Sequence, residues 1–489
     1  MHLQFIWLRA LSACSVLMFP VAAFATSIDG NNINDDAIWL KANNPYVITT
    51  QSVTRSVPLT IEPGVRVEFA GAFTLRFANT LIAKGTISEP KGTISEPITF
   101  APNGTATIAA SLEFSDGDAV FGPAGYVSGS ILEHVVVENI GGSNTNGAVV
   151  LNGAHPYIHN SIIRNNGTSG IYAYNIDGDL RIEDNLIEGN NGVLGGGLFI
   201  ATMPGGRVLL RGNTVSNNTV TESGGGLFLT VDGLAANLTA NTFSNNQATV
   251  AGGMYLTGNP YSVNSIALSG NTTRDNTAVG KGGGIYAINV GLTLTSETVR
   301  GNVAEGYDNN GGNGGGLLLE MSPATISKSM ILGNRSKYNG GGIYLGGGTY
   351  SITDSVLAMN ESELAHGGGI DIHHLPQVTF DHSVIAGNKA RDYGAGISMT
   401  DGRCTLINSA VVLNESANAI AVYVDATLQG NTIAYNSAGP QSVFLASTIG
   451  VGAKADKTLA INDNNIFRNA NSAPSYDIVT FRPGISATD

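Results

Sequence analysis

The feature that most limits what this chain can fold into is an internal repeat. Asparagine recurs in one register at positions 139, 165, 190, 218, 246, 276, 302, 334, 360, 388, 414, 436 and 469, at spacings of 22 to 33 residues. Five residues before each of these after the first stands Asn, Ser or, once, Glu, as at Asn213, Asn241, Ser329, Ser383 and Asn431. Eight residues before stands an apolar side chain: Tyr157, Ile182, Leu210, Leu238, Leu268, Leu294, Ile326, Ile352, Phe380, Leu406, Leu428 and Ile461. A polar turn and a glycine cluster follow, at 195–197, 224–226, 252–253, 282–284, 314–316, 340–342 and 367–369. Apolar residues then alternate, as in Ile343 and Leu345 or Ile370 and Ile372, which is strand periodicity. A unit of about 27 residues cannot bury its own face, so it stacks on its neighbours. Identical registers then lie about 4.8 Å apart, close enough for amide-to-amide hydrogen bonds from Asn to Asn. Glycine is expected at the corners because they need positive φ. The expected fold class is all-β, a single stacked solenoid.

Two pieces of the unit carry a resemblance: Gly224 to Phe228 (GGGLF) and Phe243-Ser244-Asn245-Asn246. They are similar to the right-handed parallel β-helix repeats of the pectin-lyase-like superfamily, and to the GGAI and FxxN repeats of chlamydial polymorphic outer-membrane protein passengers. The likeness covers residues 130 to 470 and implies a right-handed parallel β-helix. It does not imply one activity, since that superfamily holds lyases, hydrolases, epimerases and inert adhesins. Those passengers continue into a membrane barrel, and nothing barrel-like follows Asn469 here.

The ends read differently. Arg9, the apolar run Ala10 to Ala22 and the small-x-small site Ala23-Phe24-Ala25 form a secretory signal peptide, so residues 1–25 are expected to be removed. Residues 26–130 are expected to hold an N-terminal cap, with Trp39 in it, and the first coils. Residues 131–470 carry the repeats, and 471–489 form a C-terminal cap, since open β-helix ends need covering. The heptapeptide Lys84 to Pro90 is repeated at Lys91 to Pro97, a tandem duplication expected to loop out without functional weight. Past the leader Cys404 is the only cysteine, so no internal disulfide forms in the exported chain. The net charge of −13 excludes nucleic acid as a partner. No later stretch is apolar enough to span a bilayer. The expected product is a monomer, secreted, periplasmic or held at the cell surface.

Candidate functional residues lie on the outward face of the strand after the glycines. Its second position reads Tyr172, Phe199, Phe228, Tyr255, Tyr286, Leu318, Tyr344, Asp371, Ser398 and Ala421. Aromatics one coil apart offer stacking surfaces for sugar rings, unless loops fold over them and make ordinary packing. The polar departure is sharper: His366, His373, His374 and His382 fall within 17 residues. Asp371 beside His373 can tune an imidazole as a base, Tyr344 can serve as an acid, and His366 is near enough to take part. Glu320 lies two coils before His373 at the fourth position of the same face. Asp371-Ile372-His373-His374 resembles the Asp-Pro-His-x motif of mannuronan C-5 epimerases without its proline, and only Asp371 and His373 carry over. Arg335 and Lys337 in the turn before this copy and Lys389 and Arg391 in the turn after it, with Arg403 further on, offer a cationic rim for a uronic-acid polymer, with Glu361 and Glu363 between them. No zinc spacing, EF-hand loop, phosphate loop or Ser/His/Asp triad is present. No cofactor is expected, with a Ca2+ requirement left open.

Two readings follow. One is an exported polysaccharide-active protein, a lyase or C-5 epimerase of uronic-acid polymers. The other is a non-catalytic adhesin or surface-binding scaffold for cell-surface glycan. Whether the chain is an enzyme at all stays open at this point. The register itself is testable. Leu294→Asp would bury an unpaired charge, at a cost of several kcal/mol. Thermal unfolding should show a large loss of stability, and a near-wild-type midpoint would refute the register.

Overall fold

The computed structural model describes residues 25–88, 93–142, 145–307, 311–416, 418–422, 425–438, 441–445, 459–467 and 476–480. Within them the chain winds through three long parallel sheets of 16, 16 and 17 strands and a fourth of ten short strands. One coil shows the order. Ile343–Gly346 lies in sheet I, Thr349–Thr353 in sheet II, Val356–Ala358 in sheet III and Glu361–Ser362 in sheet IV, before the glycines lead into Ile370–His373 of sheet I again. Strands pair with their equivalents one coil on, in register as here or with a local shift, as between Ala173 and Ile176. The exceptions are two antiparallel hairpins, Thr86–Ser88 with Thr93–Glu96 and Val120–Gly122 with Gly125–Ser128. The coils enclose one continuous apolar core that runs from Ile28 to Ile433.

The predicted apolar column is inside it: Ile182, Leu210, Leu238, Leu268, Leu294, Ile326, Ile352, Phe380, Leu406 and Leu428 are all core residues. Its first member is a correction. Ile158, not Tyr157, pairs with Ile182 and is buried, while Tyr157 faces outward and bonds Glu183 through its hydroxyl at 2.9 Å. The same one-residue slip affects the asparagines. The buried ladder starts at Asn166 and runs unbroken to Asn436. Asn139 and Asn165 instead occupy the preceding corner position, with φ of 57° and 55°. Doublets such as Asn165-Asn166 offer one amide to the left-handed corner and one to the ladder, and spacing alone does not say which. Asn469 and the leader lie outside the described residues.

In the ladder every amide is used. Asn190 Nδ2 donates to Asn218 Oδ1 at 3.0 Å and to the Ile163 carbonyl at 3.1 Å, and its backbone N–H donates to the same Oδ1. The glycine triplets do two things. Gly340, first in its triplet, has φ of 66°. Gly342, third, has an extended need for space instead, since a Cβ there would lie 2.5 Å from the Gly369 carbonyl of the next coil. At the N-terminal end, Thr26–Ile28 and Ile38–Trp39 already pair with the following coil. Trp39 is buried and stacks on Tyr46 at 4.7 Å. In the expected C-terminal cap, Tyr476–Thr480 is a strand of sheet I.

A second ladder, at the other corner, carries the one acid in the series. Glu297 stands between Asn271 and Ser329: its Oε1 accepts both N–H and Nδ2–H of Asn271 at 3.0 Å, and its Oε2 is buried without a partner. Burial pushes its carboxyl up to about 7 against the hydrogen bonds from Asn271, so below that pH it sits in the ladder as a neutral acid. Between the ordinary glutamate value and about pH 7 the folded chain keeps a proton that the unfolded chain has released. Stability therefore falls as pH rises through that window and levels off above it. Glu297→Gln should abolish that slope and raise stability at pH 8 by roughly 3 kcal/mol. Denaturant melts of both proteins from pH 4 to 9 check this, and parallel curves would refute it.

Candidate functional site

The strand Ile370–His373 alternates as its neighbours do. Ile370 and Ile372 enter the core, so Asp371 and His373 face outward. Sheet I pairing sets Asp371 between Tyr344 and Ser398, and His373 beside Gly346, with Glu320 one coil further back. The structure thus brings together Asp371, His373, Tyr344 and Glu320. His373 Nε2 meets Asp371 Oδ2 at 2.8 Å, and Nδ1 meets the Thr400 hydroxyl at 2.9 Å. The Tyr344 ring lies parallel to the imidazole, 5.5 Å away.

Outward does not mean open. Asp371 is fully buried, while the His373 side chain keeps 24% of its surface. The carboxylate orients the ring from below and the ring alone reaches solvent. Burial works to lower the His373 pKa, but the hydrogen bond and charge of Asp371, helped by Asp401, hold it above the ordinary histidine value. His366, just before the glycines, goes the other way. It stacks on Tyr393 at 3.7 Å, its Nδ1 is buried without a hydrogen bond, and burial lowers its pKa. Asp392 Oδ2 stands 3.8 Å from that nitrogen, too far for a hydrogen bond. Burial, then the charges of Asp371, Glu320 and Asp401, push the Tyr344 phenol well up, which weakens it as the acid that the sequence suggested. Asp371 Oδ1 and Ser398 Oγ are also buried without partners.

The other candidates are placed differently. Glu320 is engaged by the Tyr286 hydroxyl and, at 3.4 Å, by Lys281, which also lies over the Tyr286 ring. Tyr286, Leu318 and Tyr344 form a small buried cluster with Ala251, so the face is closed there. Tyr172, Phe199, Phe228 and Tyr255 do form a continuous column, with centroids 4.2, 5.2 and 4.8 Å apart and planes within 12°. These rings spend faces on one another within the column, which leaves less of the stripe for the expected stacking of sugar rings. A cavity of about 360 Å³ opens beside Tyr172, lined by Thr145, Asn146, Thr168 and Asn191 among others. The cationic rim dissolves: sheet IV sets Arg335, Glu361, Lys389 and Glu415 in one column, and Lys389 bonds Glu415 at 3.2 Å. Arg391 is exposed in the turn that follows. His374 is an exposed turn residue with φ of 69°, and His382 is exposed beside Asp381. Among the described residues no group of three or more His, Cys, Asp or Glu is placed to hold a metal ion.

Sequence reasoning missed Thr400. Its signal was present, because the register that pairs Asp371 with Ser398 puts Thr400 beside His373.

The family model described as the right-handed β-helix region matches residues 125–315. Together with the stacked parallel sheets, that gives the chain the fold of a right-handed parallel β-helix. The match ends before Asp371 and does not single out the chlamydial passengers. No curated protein and no solved structure matches the chain. No helix among the described residues is long and apolar enough to cross a membrane.

The Asp371 contact generates a direct test. Asp371→Asn removes the charge that outweighs burial, so the His373 imidazole should titrate lower than in wild type, at or below the ordinary histidine range. NMR titration of the ring protons reads this, and an unchanged midpoint would show that Asp371 does not control it.

Proposed function

We propose that this is an exported enzyme acting on polysaccharide at the outer face of sheet I, through proton transfer between His366, His373 and the bound sugar. The observation that carries the reading is the hydrogen-bonded chain from buried Asp371 through His373 to Thr400. Two histidines in one patch have environments that drive their pKa values apart, which is how acid and base roles are divided at neutral pH. His366, held neutral, is the base that takes a proton from a sugar carbon. His373, raised above the ordinary histidine value, is the acid: with Nε2 held by Asp371, its Nδ1 proton passes to the Thr400 hydroxyl as that hydroxyl gives its own to the leaving oxygen or to the opposite face of the ring. Asp371 orients and charges His373, and Thr400 fixes its second nitrogen. Elimination or C-5 epimerisation in a uronic-acid polymer both begin with such an abstraction beside a carboxylate. The apolar leader supports export.

A second reading, a non-catalytic surface scaffold, draws on the ring-on-ring column and on the cancelling charges of sheet IV, both of which stiffen a rod without needing a ligand. Assays on a panel of polyuronates, following unsaturated product and epimerised residues, separate the two. Wild type should turn over at least one polymer. His373→Ala and His366→Ala should each lose a hundredfold or more in kcat, about the size of general acid–base effects, with thermal stability kept. Thr400→Val should lose about tenfold and shift the pH profile. Absence of turnover on every polymer, or a fully active His373→Ala, would leave the scaffold.

A further inference from the structure

The duplicated heptapeptide builds something. The described parts of its two copies pair as the antiparallel hairpin Thr86–Ser88 with Thr93–Glu96, and Ile87 of the first copy faces Ile94 of the second. The base of the hairpin is anchored: Gly85 N–H donates to the Glu133 carbonyl at 2.8 Å, Gly64 N–H donates to the Glu96 carbonyl, and the Glu96 side chain bonds Lys41. A side chain at Gly85 would strike the His134 carbonyl at 2.4 Å, so this hairpin rests directly on the next coil.

Between the hairpin and the outer face of sheet III lies a cavity of about 440 Å³, within the range of small-molecule sites. Ile87 and Ile94 line it from the hairpin, Ile162 and Leu186 from the sheet, and His134, Asn160, Ser161 and Asp184 add polar groups. His134 Nδ1 is buried with no hydrogen-bond partner. Asp184 keeps 44% of its side chain exposed, with Oδ2 3.4 Å from His159 Nε2. Burial lowers the His134 pKa, against the charge of Glu133, so near neutral pH the ring is uncharged and can accept a hydrogen bond. The Asn160 amide already donates to His159 at 3.3 Å and the Ser161 hydroxyl to backbone carbonyls, so the cavity is left with acceptors, which ask for a donor that is also a cation.

We propose that this cavity binds a small organic amine, its apolar body among the four aliphatic side chains and its ammonium group held by Asp184 and His134. An anion would meet the Asp184 carboxylate, and a wholly apolar ligand would leave the buried imidazole nitrogen unpaired. The site stands apart from the His373 patch and does not depend on the enzymatic reading.

Isothermal titration of the full chain with phenethylamine, and with 2-phenylethanol as its neutral counterpart, tests this. The amine should bind saturably at one site, and the alcohol at least tenfold more weakly. Deleting Lys91 to Pro97 removes a strand that supplies no core residue and leaves Glu89-Pro90 of the other copy in the place of Glu96-Pro97 before Ile98, so thermal stability should persist while binding is lost. Ile94→Trp, which fills the cavity from the hairpin side, should do the same if the deletion variant does not fold. Asp184→Asn should bring the amine down to the affinity of the alcohol. No saturable binding of the amine, binding undiminished in both hairpin variants, or an amine preference that survives Asp184→Asn would overturn the proposal.

Discussion

Everything in this rod depends on the side-chain amide that hydrogen-bonds to its own copy one coil on. A buried asparagine brings two donors and an acceptor that must all be met, and the ladder from Asn166 to Asn436 meets them with a fixed pattern. Nδ2 reaches the next amide and a backbone carbonyl, and Oδ1 receives a side chain and a backbone N–H from the coil before. The pattern works only if the coils are in exact register and one strand spacing apart. A slip of one residue would strand several buried polar groups at about 1–3 kcal/mol each. The ladder therefore specifies the winding, while the aliphatic columns beside it supply most of the burial.

Because the interior is fixed coil by coil, the outside is written in columns, and neighbours in a column are one strand spacing apart. Like charges cannot be stacked that way without penalty. On sheet II the outward column runs Lys84, Glu133, His159, Glu183, Arg211, with Lys84 3.3 Å from Glu133 and Arg211 2.7 Å from Glu183. Sheet IV alternates in the same way through Arg335, Glu361, Lys389 and Glu415. Sheet I solves the problem with rings laid on rings. The candidate site is where that aromatic column gives way to Asp371 and Ser398.

Much of this was legible in the sequence, and the misses share a physical cause. The column of outward residues from Tyr172 to Ala421 falls in the order that the glycine clusters imply. Period alone fixes such a column. It does not fix which member of an Asn-Asn doublet turns inward, since both corner and ladder accept Asn, and so Asn165 was placed where Asn166 belongs. Ring orientation is also invisible: spacing says that Phe199 and Phe228 are neighbours, but only packing decides that they meet face to face. Charge pairing across coils was readable in principle, because Lys389 and Glu415 stand in one column. The hairpin of the duplicated heptapeptide was not, since antiparallel pairing interrupts the period on which the rest of the reading stood.

The strongest sign that the Asp371 patch is more than packing is what it costs. Coils one and two steps earlier fill the same position with Tyr344 and Leu318, both nearly or fully buried and members of one apolar cluster. A rod selected only for stiffness would continue in that way. Instead Asp371 is fully buried with one oxygen unpartnered, and Ser398 one coil on is buried with its hydroxyl unpartnered. Each orphaned group costs about 1–3 kcal/mol. The ladder directly beneath, through Asn360, Asn388 and Asn414, is unbroken, so the strain does not come from a local failure of the fold. A scaffold rigid enough to hold a buried carboxylate against an imidazole can raise the pKa of that imidazole and aim it before any ligand arrives, which is the condition for electrostatic preorganisation.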